Sequence, residues 1–103
     1  MSTAADDWLV HFPEGYNAQR EHETPWRGYL SDVVVELGDG SRYRLFFMDP
    51  VRLQQELADQ VQQGQPYLAE PNLVVLPEVT TAAIHKAVEQ LVEDHYFQDL
   101  KSL

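Results

Sequence analysis

The sequence predicts an α+β domain: an antiparallel β-hairpin, at least one further short strand, and two helices packed on one face of the sheet. Three observations predict it. Val33, Val35 and Leu37, then Tyr43, Leu45 and Phe47, alternate at the period of two that lines one face of a strand. Gly38-Asp39-Gly40 separates the two runs with hairpin-turn chemistry. Two later stretches, behind Asp49 and behind Thr80, repeat apolar residues at helical spacing after an N-cap signal. The expected order is β-β-α-β-α, with an optional extra strand at the N-terminus.

Tyr29 to Pro50, YLSDVVVELGDGSRYRLFFMDP, organises the rest. A three-residue loop with glycine last suits a type I turn closed by a G1 bulge. That loop sets Leu37 opposite Ser41, Val35 opposite Tyr43, Val33 opposite Leu45 and Glu36 opposite Arg42. A two-residue Asp39-Gly40 turn would pair Val35 with Arg44 and send the apolar set to the wrong face. Asp39 therefore reads as turn chemistry rather than as a functional acid. Phe46 and Met48 fall with Val34 on the second face, which calls for a cover: the N-terminal segment or another copy of the chain.

Asp49 is the expected N-cap of the first helix, with Pro50 at the first helical position. Leu53, Leu57 and Val61 recur every four residues, flanked by Val51 and Ala58, and should face the sheet. Gln54, Gln55, Gln60, Gln62 and Gln63 leave the other face polar but nearly uncharged, and Gly64 ends the helix. Gln65 to Pro71 is a connector. Asn72 to Leu76, bounded by Pro71 and Pro77, reads as a short strand lying inside the sheet or covered on both sides. Thr80 caps the second helix, with Val79 and Ile84 placed as a hydrophobic staple. Ile84, Ala87, Val88, Leu91, Val92 and His95 share one face, and Tyr96-Phe97 closes the helix. Leu100 and Leu103 pack in a short tail.

Residues 1–28 read as an irregular segment attached to a core of 29–97, the 103 residues together making one domain. Met1 to Asp7 should fray. Trp8, Val10 and Phe12 alternate like a short edge strand that Pro13 and Gly15 interrupt. Asn17 to Thr24 reads as a surface loop or a short helical turn.

The apolar content of 44% fits a folded globule. The absence of cysteine removes disulfides and thiol catalysis and points to a reducing compartment, hence a cytoplasmic location. The acidic N-terminus is no signal peptide, and no run approaches the roughly 20 apolar residues that span a bilayer. Seventeen acidic residues against seven basic ones give a net charge of −10, spread along the chain. Such a field repels nucleic acid and anionic membrane and attracts a basic partner, though acidic surfaces also serve plain solubility.

Candidate chemistry is sparse. His85 and Glu89, with Glu93 a turn further, could present ligands on one helix face, but a zinc site needs three or four and the paired-Cys and H-E-x-x-H patterns are missing. His95 reads as a helix cap. His11 and His22, the latter beside Glu21 and Glu23, lie in the irregular third. Asp49, Arg52 and Glu56 read as a cap and an i, i+4 ion pair rather than an anion site. Ser41 has no recognisable base. Arg42, Tyr43 and Arg44 form a small basic-aromatic spot in acidic surroundings. No phosphate-loop, dinucleotide or nucleophile-elbow pattern occurs, so no catalytic residue, metal or cofactor is expected. Trp8, Tyr16, Trp26, Tyr29, Phe46 and Met48 make the candidate interaction surface. The alternative is that the tryptophans and Tyr16 fold back to cap the sheet.

At Leu37 to Tyr43 (L-x-D-G-x-x-Y), Asp49 to Leu53 (D-P-x-R-L) and Ala69 to Thr80 (A-E-P-N-L-V-V-L-P-E-V-T), the chain resembles small single-domain proteins of bacteria that have no established activity. The resemblance covers Tyr29 to Phe97. It implies a bacterial, stand-alone α+β domain and no catalytic residues.

The expected function is a non-catalytic acidic interaction module, an adaptor or an immunity-like inhibitor of a more basic protein. One alternative is a small-molecule-binding domain or enzyme with a pocket between the N-terminal segment and the sheet, which would bring His11 or His22 near Asp49 and Arg52. Another is a homodimer through Val34, Phe46 and Met48.

Overall fold

A computed structural model describes residues 7–103. The expected fraying of Met1 to Asp7 lies outside the described residues, Asp7 excepted. Seven elements follow in order: β1 (Trp8–His11), α1 (Ala18–Arg27), β2 (Tyr29–Leu37), β3 (Arg42–Met48), α2 (Pro50–Gln62), β4 (Leu73–Val75) and α3 (Thr81–Glu93). The class is α+β. The order is β-α-β-β-α-β-α, which corrects the expected β-β-α-β-α: the N-terminal strand is present, and a helix not foreseen follows it. The sheet runs β1-β2-β3-β4, antiparallel across the first three strands, with β4 parallel to β3.

The hairpin has the register its loop demands. Val33 pairs with Leu45, Val35 with Tyr43 and Glu36 with Arg42. The Leu37 N–H donates to the Ser41 carbonyl at 2.9 Å, and the Gly40 N–H to the Leu37 carbonyl at 2.9 Å. Gly40 takes φ +88°, the left-handed conformation that closes such a turn. The Ser41 hydroxyl and then its N–H donate to Asp39 and hold that carboxyl below its ordinary pKa. Unforeseen is a bulge between Leu30 and Val33, with Asp32 at φ 60°. It keeps both Leu30 and Val33 on the core face, 4% and 0% exposed.

The core occupies one face only. Leu30, Val33 and Val35 of β2, Tyr43, Leu45 and Phe47 of β3, Leu76, Val79, and Ile84 and Val88 of α3 form it, with Phe97 beyond the helix. Thr80 caps α3, accepting from the Ala83 N–H at 3.0 Å. The staple pair Val79 and Ile84 is fully buried. Among the described residues before β2, β1 and α1 stand where the sequence suggested an irregular segment. Trp8, Val10, Phe12 and Tyr16 pack on the rim of the core, and the Phe12 and Tyr16 rings stack with centroids 4.8 Å apart.

Asn17 to Thr24, read as a loop or short turn, belongs to the ten-residue α1. The Asn17 side chain accepts from the Arg20 N–H at 2.9 Å. Pro25 sits inside the helix and hid it from a pattern reading, since proline removes an i→i−4 bond. Pro25 falls in the last turn, with only Trp26 and Arg27 of the helix beyond it to be displaced. Gly28 then ends the helix at φ +78°, its N–H on the Thr24 carbonyl at 2.9 Å.

Three further expectations are corrected. The two later helices do not share a face: α3 contributes to the core, whereas α2 buries no residue. The strand after Pro71 is an edge strand, Val75 being 45% exposed, because the parallel connection through α2 adds it outside β3. The last helix stops at Glu93. His95, at φ 58°, takes the left-handed position after it, with the Tyr96 N–H on the Leu91 carbonyl at 3.0 Å and the His95 N–H on Val92 at 3.1 Å. Glycine is the natural residue for that position. His95→Gly is therefore expected to raise stability by roughly 0.5–1 kcal/mol in denaturant unfolding.

Candidate functional site

The six residues of the expected interaction surface are scattered. Trp8 and Tyr16 lie on the rim of the core, and the Tyr16 hydroxyl is 3.1 Å from Thr81 Oγ1, which donates to Glu21 Oε2 at 2.7 Å. This link ties β1 and α1 to the start of α3. Met48 is 2% exposed. Tyr29 and Phe46 meet edge-to-face at 6.3 Å, and the Arg52 guanidinium lies 4.5 Å over the Tyr29 ring. Trp26 alone stands free, 86% exposed in the last turn of α1. On the second hairpin face Met48 is thus buried, while Val34 and Phe46 stay half-exposed.

The residues that sequence reasoning put in the wrong place are those of α2. Asp49 caps it, accepting from the Arg52 N–H at 2.7 Å, and Arg52 Nε and Nη2 both reach Glu56 Oε1 at 2.8 Å. Arg52, Leu53, Glu56 and Gln60 form its half-buried side. Leu57 and Val61 come roughly a quarter turn further round, and Val51 and Ala58 beyond them. Leu57 is 41%, Val61 56% and Val51 65% exposed, and Tyr67 in the following connector is 61% exposed. A single apolar stripe on a helix ordinarily marks the side that a core covers. Here a largely polar flank with Leu53 is turned inward and the rest of the stripe outward. The one available signal was the glutamine-rich opposite side, which lacks the charges that usually mark a solvated helix face.

The histidines do not converge. His11 Nε2 is 3.0 Å from Glu36 Oε1, and His11 stands across from Val34, five residues along β2 from the Tyr29–Met48 pair that precedes Asp49. His22 is exposed on α1. The His85 ring packs near Trp8 and Phe12, centroids 6.2 and 5.7 Å away, instead of forming a ligand pair with Glu89. Among the described residues no group of three or more His, Cys, Asp or Glu is placed to hold a metal. No helix among them is long and apolar enough to cross a membrane.

Open hollows remain. One of about 430 Å³ lies beside the hairpin tip between Tyr43, His95 and Phe97. Two more, of about 500 and 450 Å³, lie side by side and share Ser31, Asp32 and Arg44. The first of this pair lies between the N-terminal segment and the sheet, with His11, Phe12 and Glu14 on one wall and Val34, Arg42 and Arg44 on the other. Compared with known proteins, the chain matches no family model, no curated protein and no solved structure.

Proposed function

We propose that this protein is a non-catalytic interaction module, an adaptor or inhibitor that holds a more basic protein against the outward stripe of α2. The observation that carries the reading is a 13-residue amphipathic helix whose apolar residues Val51, Leu57 and Val61 stay exposed while no side chain of the helix is buried. An apolar strip rimmed by glutamines has the make-up of an interface centre, where charge is depleted. The net charge of −10 supplies long-range attraction to a basic partner and speeds encounter. Because the stripe makes no core contact, charging it leaves the fold intact.

The test is affinity capture from lysate of the source organism at low and moderate salt, with the wild-type chain and with Leu57→Glu/Val61→Glu side by side. The wild type is expected to retain a basic protein, less of it as salt rises, and the double variant to lose at least roughly tenfold in affinity with an unchanged circular dichroism spectrum. Equal retention by both chains, or none by either, would remove this reading.

A further inference from the structure

We infer that the paired hollows on the open face of the sheet form a binding groove for a small organic oxyanion, a carboxylate or a phosphate carried on an apolar body. The inference is independent of the α2 surface. It starts from where the scarce cations lie. The chain has seven lysines and arginines, and four of them line this groove: Arg20 from α1, Arg42 and Arg44 from β3, and Lys101 from the C-terminal tail. In a chain of net charge −10, that concentration runs against the charge of the whole molecule.

The donors also keep hydrogen-bonding capacity beyond their loose ion pairs. Arg52 spends Nε and Nη2 on Glu56, both at 2.8 Å. Arg42 and Arg44 instead meet Glu36 and Asp32 only at 3.9 and 3.7 Å through Nε, beyond hydrogen-bonding distance. Among the described residues, the guanidiniums of Arg20, Arg42 and Arg44 donate no hydrogen bond. A guanidinium fork matches the two oxygens of a carboxylate or phosphate, so spare forks at a concave surface define the ligand's head group.

Backbone geometry supports the same site. Ser31 and Asp32, the residues of the β2 bulge, line both hollows, and Asp32 holds the left-handed conformation at φ 60° without being glycine. Such strained positions and bulges cluster where a strand re-aims side chains toward a ligand. Phe12 and Val34 in one hollow and Phe46 and Pro71 in the other supply the apolar wall. Volumes of about 500 and 450 Å³ fall in the range of small-molecule sites. Glu14, Asp32 and Glu70 on the same walls turn away a polyanion, and the site takes a single small anion. The overall negative field does not forbid this, since screening limits distant charges to about 8 Å at physiological salt.

The experiment is an amide-resolved NMR titration at constant ionic strength, sodium chloride being replaced stepwise by sodium benzoate in one series and by sodium phosphate in another. Saturable shifts are expected at Ser31 to Val34 and at Arg42 to Arg44. Arg42→Gln/Arg44→Gln is expected to weaken the apparent affinity roughly tenfold or more. Arg44→Gln alone, which keeps the Glu36–Arg42 pair, weakens it less and guards against an effect of misfolding. Response to benzoate alone assigns a carboxylate on an apolar body, and response to phosphate alone assigns a phosphoryl group. Linear, unsaturable shifts with both anions, or the same saturation in the folded variants, would overturn the site.

Discussion

Phe47→Ala is expected to lower the stability of this domain by about 3–5 kcal/mol, the range for removing a large aromatic from a close-packed core. Phe47 is fully buried in β3, with Leu30 of β2 beside it on one side and Val74 of β4 on the other. It therefore stands where the antiparallel and parallel halves of the sheet meet. A domain of 103 residues has about 5–15 kcal/mol in all, so this one change removes a large share. In urea unfolding the midpoint should fall with the slope unchanged, because the surface exposed on unfolding is nearly the same. A loss below about 1 kcal/mol would mean that the sheet collapses onto the vacated space, and that Phe47 is not the centre of the core.

Gly28→Ala is expected to cost about 2–4 kcal/mol by the sum of two effects. Gly28 sits at φ +78°, where an L side chain is disfavoured by about 1–2 kcal/mol. A Cβ there would also stand 2.8 Å from Asp49 Oδ2 and 3.0 Å from the Arg52 Cβ. The neighbours cannot give way cheaply. Asp49 is held by its own N–H on the Gly28 carbonyl at 2.8 Å and by its cap bond to Arg52. This one glycine thus ends α1 and makes room for the cap that starts α2. Gly40→Ala is the control: φ is +88°, but nothing lies within 4 Å of the new Cβ, so only the conformational cost remains. Urea unfolding of both variants separates the two effects. Equal losses would show that the Asp49 contact carries no weight.

Much of the local structure was legible because its partners lie a few residues apart. The hairpin loop sets its register through Leu37, Gly40 and Ser41. Asp49 and Thr80 cap their helices through the third following N–H. Gly64, at φ +92°, closes α2. Pro25 is the instructive local failure. Proline breaks a helix interior by displacing the turns beyond it, but only Trp26 and Arg27 of α1 follow Pro25.

The candidate sites were less legible than the elements that bear them. Periodicity showed that α2 has an apolar stripe and was silent on which side the sheet would cover, since amphipathicity specifies a face and not its partner. Arg20, Arg42, Arg44 and Lys101 are separated by up to 81 positions in the chain and become neighbours only when α1, the sheet and the C-terminal tail are assembled. The sequence by itself determined the hairpin and its register, the caps of α2 and α3, and the core residues Val33 and Val35 of β2, Tyr43, Leu45 and Phe47 of β3 and Ile84 and Val88 of α3, all through interactions of short range or strict period. The tertiary structure alone decided that β4 lies at an edge, that the stripe of α2 faces outward, and that scattered cations line one groove. Those features depend on how elements distant in the chain are set against one another, and no local pattern of residues encodes that.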